Sequence, residues 1–175
     1  MSYQLRKCFI SYHHGSHEKY LLKLRDLIYE MQIADHSLKD DISHLSIETI
    51  YKIVRKKMRG CSITIILIGE TTGYRKWIDW EIWASLRPYR HPINPLLSFK
   101  PNGLLVVFLP GKNHSIPKRL QDNINSGYAV CMKWENLERD FESKINYAYW
   151  NRTYRTEKID NRRKLMERNR AYFVR

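Results

Sequence analysis

Trp77 and Glu81 are the residues whose types and spacing best suit chemistry. They are four positions apart, so a helix places them on one face. A carboxylate flanked by Trp77, Trp80 and Trp83 is partly shielded from water, which raises its pKa and strengthens its hydrogen bonds. This pattern favours a reactive carboxylate beside a ligand pocket. The alternative is an ordinary amphipathic helix with a solvated Glu81 at its rim, and the spacing alone leaves both interpretations open.

Several well-known chemical motifs are absent from the sequence. The seven glycines are isolated, with no G-x-G and no G-K-[ST], which excludes the known forms of the dinucleotide fingerprint and the P-loop. A phosphorelay receiver needs acidic residues after its first strand, where this chain has the segment 11–14, Ser-Tyr-His-His. His13, His14 and His17 have no cysteine or paired carboxylate nearby at ligand spacing, so we expect no metal site.

The chain is strongly basic. It has 175 residues with 31 Lys and Arg against 18 Asp and Glu, a formal net charge of +13. Residues 151–175 contribute nearly half of this excess, and a basic surface attracts polyanions and anionic small molecules. We expect a solvated basic helix in this tail. Nucleic-acid binding is the alternative, although no recognised nucleic-acid motif is present.

The composition indicates a folded protein in a reducing compartment. A hydrophobic share of 43% excludes disorder as the main state. The longest apolar runs have about six residues, whereas a membrane-spanning helix needs roughly 20, and we see no secretory leader. The cysteines, Cys8, Cys61 and Cys131, are too far apart for a disulfide framework or a zinc knuckle. We therefore expect a cytoplasmic protein without membrane contact.

The apolar periodicity predicts alternating strands and helices. We expect strands at 7–12, 32–34, 62–68, 104–109 and 128–132, and helices at 20–31, 47–58, 77–86, 137–148 and 158–172. The strands are continuous apolar runs, which is typical of a parallel sheet covered by helices on both faces. Ligands bind beyond the carboxyl ends of such strands, here the segments 11–14, 35–41, 69–77 and 110–114.

Three short motifs occur in the order found in TIR domains: Phe9-Ile10-Ser11-Tyr12, the acidic turn Asp35-His36-Ser37, and Trp77-x-x-x-Glu81. More narrowly, the blocks 7–14, 64–69, 75–82 and 123–129 resemble the TIR-like family of the Thoeris antiphage defence system, the ThsB family. The resemblance covers about residues 5–150, and the ordered set of blocks is more specific than any one of them.

The resemblance implies a fold that agrees with the predicted order of elements. It implies an α/β architecture, a doubly wound five-stranded parallel sheet of the TIR, flavodoxin-like type, in residues 1–150. We expect residues 151–175 to form a basic helical C-terminal extension packed on the same domain. The weakly apolar second strand suggests a pliable edge of the sheet.

The resemblance also implies an enzyme, an NAD glycohydrolase or ADP-ribosyl cyclase that breaks the bond between nicotinamide and ribose. NAD is then the substrate, and no cofactor or metal is expected. By the motif match Glu81 is the catalytic glutamate. The residues expected to line or gate the nicotinamide-ribose pocket are Phe9, Ser11, Tyr12, His13, Asp35, Ser37 and Trp77.

A single carboxylate suits this chemistry. Ordinary glycosidases use two carboxyl groups, one of which protonates a poor leaving group. Nicotinamide leaves NAD from a cationic pyridinium, so no acid is required, and Glu81 alone can hold the ribose hydroxyls and stabilise an oxocarbenium-like transition state. The identity of the attacking group decides the product, and the sequence leaves that choice open.

In the Thoeris family the ADP-ribose part becomes a signalling nucleotide, by cyclisation or by conjugation, that activates a separate effector. The expected partners are NAD as the substrate, a phage-derived trigger, and the effector that the nucleotide activates. We also expect self-association of the chain through TIR contacts, which move the turn 35–41. Two alternatives remain: a non-catalytic TIR interaction module, and a basic nucleic-acid-binding domain that uses the tail.

Overall fold

Five short runs of mostly apolar residues form the strands of one sheet, and the helices between them cover it. The computed structural model describes residues 6–38, 42 and 44–170. The elements in chain order are β1 (Lys7–Ser11), α1 (Glu18–Glu30), β2 (Ala34–Asp35), α2 (Ile47–Met58), β3 (Ile63–Ile68), α3 (Lys76–Ser85), β4 (Gly103–Phe108), α4 (Lys118–Asn125), β5 (Val130–Lys133) and α5 (Leu137–Tyr154).

The sheet is parallel throughout, with strand order β2-β1-β3-β4-β5. The chain builds one edge with β2, then crosses back over β1 and builds the other edge from β3 onwards. The order therefore reverses between β1 and β3, where Ser11 is in register with Ile66. Such a switch point opens a crevice at the carboxyl ends of the strands. The predicted fold class is confirmed.

Each face of the sheet is covered by its own group of helices. Helices α1 and α5 bury their apolar stripes against one face, while α2, α3 and α4 cover the other. All six residues of β3 are buried, as expected for a central strand between two helical layers. Along β1 the side chains alternate, so Tyr12 joins the α1 layer and Phe9 joins the α2 layer.

Several of the predicted elements differ from the observed ones. The second strand has two residues, Ala34–Asp35, rather than the expected 32–34. Helix α4 was not predicted, because Leu120 and Ile124 are its only apolar residues. Helix α1 begins at Glu18, two residues before the predicted start, and the side chain of His17 before it makes no capping bond. Ser46 does cap α2, where its hydroxyl accepts a hydrogen bond from the Thr49 amide at 3.3 Å.

The C-terminal helical structure is present but ends earlier than predicted. It consists of α5, which ends at Tyr154, and a single 3-10 turn at Thr156–Lys158. Residues 159–170, which we call the C-terminal strap, are not helical, and residues 171 and 172 lie outside the described part of the chain. Backbone carbonyl groups of the strap accept hydrogen bonds from side chains of α3 and α4. The donors are Trp80, Arg119 and Asn123.

All three cysteine thiols are free, and burial raises the pKa of Cys8, Cys61 and Cys131. Among the described residues, no helix combines the length and the apolar character that a membrane crossing requires.

Candidate active site

Ser11 and Glu81 meet at the switch point of the sheet. Ser11 is the last residue of β1 and is fully buried, while Glu81 comes from the middle of α3. The Ser11 hydroxyl donates a hydrogen bond of 2.5 Å to Oε2 of Glu81. The contact joins residues 70 positions apart in sequence and places the carboxyl where the crevice is expected.

The packing of α3 explains the direction in which Glu81 points. Ile78 and Ile82 are buried against the sheet and fix the inner face of the helix. Glu81 then projects toward β1, and Asp79 projects toward α4. The two acidic residues of α3 therefore serve opposite sides of the same helix.

Burial dominates the electrostatics of Glu81. Loss of water around the carboxyl raises its pKa to about 8, and the hydrogen bond from Ser11 offsets only part of that increase. The neutral acid is therefore the main form at pH 7 without a ligand. A cationic group placed beside it favours ionisation, since an opposite charge stabilises the carboxylate.

The tryptophans of α3 take different environments. Trp77 is half-buried against the cluster that contains Phe9, and its ring lies 5.4 Å from that of Trp80 in an edge-to-face arrangement. The indole N–H of Trp80 instead donates to the Met166 carbonyl of the strap at 2.8 Å. Trp83 packs against Tyr51 on α2. Only some of the tryptophans that were predicted to flank Glu81 therefore lie on the same side of α3 as Phe9.

The histidines after β1 form a small cluster at the same end of the sheet. The His13 ring bonds to the Ser16 hydroxyl at 2.7 Å, and the His14 ring lies 4.3 Å from that of Tyr12. Burial lowers the pKa of His17 to about 4, so this ring is neutral at pH 7. His17 fits only because residue 69 is glycine, since a Cβ there would approach His17 Nε2 to 2.5 Å.

The turn after β2 is held by a compact set of hydrogen bonds. Asp35 accepts bonds of 2.8 Å from the Ser37 amide and from Arg25 Nε. The buried Ser37 hydroxyl accepts a bond of 2.8 Å from the Ile10 amide. Burial alone would raise the pKa of Asp35, but the bonds from Ser37 and Arg25 outweigh it and hold the pKa below its usual range. Residues 39–41 of the predicted gating turn lie outside the described residues.

A groove of about 760 Å³ lies between α1 and the β2 edge, and Tyr12, Arg25 and Asp35 contribute to its lining. It lies on the α1 side of β1, whereas Ser11 and Glu81 meet on the other side. The predicted site residues thus fall into two groups: Ser11, Glu81 and Trp77 on the α3 side, and Tyr12, Asp35 and Ser37 on the α1 side. His13 lies between them in sequence, and Phe9 is 1% exposed in the core.

Five polar residues at or beside this site were not identified from the sequence as part of it. Arg25 pairs with Asp35, His17 contacts Gly69, and the Asp79–Arg119 ion pair is buried beside α3. The Nε of Arg75, at the start of α3, is buried and makes no hydrogen bond within the described residues. In the sequence Asp79 is a lone charged residue on an apolar helix face, which could have marked it as functional. The sequence does not indicate its partner, Arg119, which is 40 positions away.

In the part of the chain that the structure describes, no three His, Cys, Asp or Glu side chains are grouped closely enough to hold a metal ion.

The sequence profile described as "Thoeris protein ThsB, TIR-like domain" matches residues 9–114. The match covers more than half of the chain and includes Ser11, Asp35 and Glu81. It ends before α4 and the strap.

Proposed function

Because the chain belongs to the TIR-like domain family of Thoeris protein ThsB, an antiphage-defence family, we propose that it is an enzyme that cleaves NAD between nicotinamide and ribose. The ADP-ribose part then becomes a signalling nucleotide, a cyclic isomer or a conjugate, that activates a separate effector. The observation that carries this proposal is the bond between Ser11 and Glu81 at the switch point of the sheet.

The proposed reaction needs one carboxylate and no external acid. The C1′–N1 bond of NAD breaks, and its electron pair goes to the nicotinamide nitrogen, which neutralises the pyridinium. Positive charge develops on the ribose, where ionised Glu81 stabilises it electrostatically and accepts hydrogen bonds from the ribose hydroxyls. Water or a hydroxyl then bonds to C1′ and loses its proton, or a ring nitrogen of adenine, which carries no proton, bonds to C1′ and the adenine takes up the positive charge.

The raised pKa of Glu81 fits a cationic substrate. The empty site holds a neutral acid, which costs little to keep out of water. Approach of the pyridinium favours loss of that proton, so the negative charge forms where the substrate is positive. Ser11 keeps the carboxyl oriented through its 2.5 Å bond.

Other residues are proposed to bind the rest of NAD. Trp77 offers an aromatic face near the site, and Tyr12 and Asp35 line the groove beside α1. His13 and Ser37 are proposed to complete the binding surface. We propose that Phe9, which is buried on the α2 side of β1, supports the Ser11–Glu81 site from the core. The unsatisfied Nε of Arg75 is a suitable donor to the diphosphate.

Self-association through TIR contacts and a phage-derived trigger are proposed to control the turn at 35–41. We expect the enzyme to act in the cytoplasm, where NAD is available, without a membrane or nucleic acid as partner.

The test is incubation of the protein with NAD, with and without extract from phage-infected cells, followed by mass spectrometry of the nucleotides. We expect release of nicotinamide by the wild type and none by Glu81→Gln. The matched control is Glu142→Gln on the exposed face of α5, which should behave as wild type. Absence of nicotinamide release by the wild type, both with and without the extract, contradicts the proposal.

The second candidate function is a non-catalytic TIR interaction module. It is favoured by one observation, namely that the 760 Å³ groove is lined by Tyr12 and Asp35 and not by Ser11 or Glu81. In that case NAD is untouched, and Glu81→Gln leaves phage protection by the intact system unchanged.

A further inference from the structure

Helix α3 is held from two sides by polar contacts. On the β1 side Glu81 accepts the bond from Ser11. On the α4 side Asp79 accepts bonds of 3.0 and 3.3 Å from Nε and Nη2 of Arg119. Arg119 is fully buried and Asp79 is 6% exposed, so this pair is shielded from solvent. The carboxyl of Glu81 and the ion pair are thus attached to opposite sides of one rigid helix.

The strap completes the attachment on the α4 side. Four hydrogen bonds join it directly to α3: the Met166 amide to Asp79 (3.0 Å), the Trp80 indole to the Met166 carbonyl (2.8 Å), the Lys76 amide to Asn169 (2.9 Å) and Asn161 to the Trp83 carbonyl (3.1 Å). They occur along the whole length of the helix. The strap therefore contacts every turn of α3.

Arg119 connects the strap to the ion pair. Its Nη1 donates to the Asn161 side chain at 2.7 Å and to the Arg163 carbonyl at 3.0 Å, and its Nη2 donates to the Lys164 carbonyl at 3.1 Å. One buried guanidinium thus bonds to Asp79 and to three residues of the strap. Its planar array of donors suits this role, which a lysine ammonium cannot fill.

These contacts resist rotation of α3 about its own axis. A carboxyl group lies roughly 6 Å from the axis of its helix, so a rotation of about 10° moves it by about 1 Å. A displacement of that size is enough to lose about 10²-fold in rate when the displaced group acts in catalysis. The Ser11 bond alone holds one point, whereas the strap holds the opposite side of the helix.

We propose that Arg119, Asp79 and the strap are positioning residues that set the rotation of α3 and thereby hold the Glu81 carboxyl against Ser11. This inference rests on the proposed function of Glu81. It assigns a role to a part of the chain that lies beyond the family match at residue 114.

The test replaces the ion pair without leaving a buried charge. In the double variant Asp79→Leu, Arg119→Met, two apolar side chains fill the space, and such exchanges are often neutral or favourable for stability. We expect a cooperative unfolding transition like that of wild type. We also expect faster hydrogen exchange of the Trp80 indole N–H, which reports release of the strap because neither substitution removes its acceptor, the Met166 carbonyl. We expect kcat for NAD cleavage to fall by about 10²-fold with KM nearly unchanged.

A second measurement does not depend on activity. NMR titration of the Glu81 carboxyl should show a pKa lower than in wild type, because a rotated carboxyl meets more water. If wild type cleaves no NAD, the proposed function fails and this titration alone decides the inference. A folded double variant with a released strap, and with the titration and kcat of wild type, overturns it.

A milder variant covers the case in which the double variant does not fold. Trp80→Phe with Asn169→Ala removes two strap bonds and keeps the buried pair. We expect the same changes in smaller size, with kcat reduced several-fold. The matched control is Arg162→Gln, an exposed residue of the strap that bonds only to Asp160 within the described residues. Loss of kcat in this control, equal to that of the strap variants, also overturns the inference.

Discussion

Two acidic side chains at the carboxyl ends of the strands are held in opposite ways. Asp35, after the edge strand β2, accepts bonds from Ser37 and Arg25 that keep it ionised, with a lowered pKa. Glu81, on α3, has one bond from Ser11, and burial raises its pKa to about 8. When the environments of two acidic residues shift their pKa values in opposite directions, the two residues can take different roles. Asp35 is a fixed charge that anchors a turn, and Glu81 is a group whose charge can change with its ligand.

The largest effect is expected from removing the Glu81 carboxyl group, whose charge can change. Glu81→Gln should lower NAD turnover by at least about 10²-fold, because the amide cannot stabilise positive charge on the ribose. Asp35→Asn should lower turnover less, since its role is to hold the turn. The measurement is nicotinamide release by both variants, with circular dichroism to confirm folding. Equal losses in the two variants contradict the division of roles.

The pH dependence of the reaction sharpens the comparison. In the proposed reaction Glu81 acts as the carboxylate, and burial raises its pKa in the free protein to about 8. We therefore expect kcat/KM to rise by roughly tenfold between pH 7 and pH 9 and then to level off. Asp35 is ionised throughout this range and contributes nothing to the rise. A profile that is flat above pH 6 shows that Glu81 ionises normally in the free protein.

These contrasts were only partly accessible from the sequence. The strands β3 and β4 are local apolar runs, and both were predicted within one residue of their observed bounds. The order of short motifs identified the family and proposed Glu81 and Asp35 as site residues. The flanking tryptophans predicted a raised pKa for Glu81, but the sequence did not indicate Ser11 as its hydrogen-bond donor, because the two residues are 70 positions apart. The lowered pKa of Asp35 was not predicted, because its bond from Arg25 comes from another element of the fold.

The strap shows a second limit. Its apolar stripe predicted a helix over 158–172, but backbone carbonyls in the strap accept bonds from Arg119 and Trp80. Carbonyl acceptors are the same at every position, so no sequence pattern marks them. Arg119 itself looked like one of many surface arginines, since its partner Asp79 lies 40 positions away. Helix α4, which carries Arg119, was not predicted because it has too few apolar residues to show a helical periodicity.

Stability should respond to pH in opposite directions at the two acids. The pKa of Glu81 is raised, so the folded state binds the extra proton, and its contribution to stability is lost as pH rises toward about 8. The pKa of Asp35 is lowered, so its contribution is present above its usual pKa and is lost as pH falls through the folded value.

Thermal or urea unfolding of two variants checks these signs. At pH 9 Glu81→Gln should be more stable than wild type, and the difference should shrink toward pH 5. Asp35→Asn should be less stable than wild type by about 1–2 kcal/mol at pH 7, because bonds to a charged acceptor are lost. Destabilisation of both variants at pH 9 contradicts the assignment for Glu81.

The smallest effect is expected from the charges of the strap. Arg162, Arg163 and Lys164 are exposed. Arg119 bonds to the backbone carbonyl groups of Arg163 and Lys164 and not to the side chains of these two residues. Replacing all three with glutamine should leave NAD turnover within about twofold of wild type. The cost in stability should be small, since the Arg163–Asp122 pair lies at the surface, where solvent screens it. Retention on a polyanion column should fall, because three positive charges are lost.

The measurement is nicotinamide release under the conditions where wild type is active, with the Met166 amide exchange as a check that the strap stays in place. If turnover falls as far as in Glu81→Gln while the strap remains bound, these charges belong to the active site and contact NAD directly.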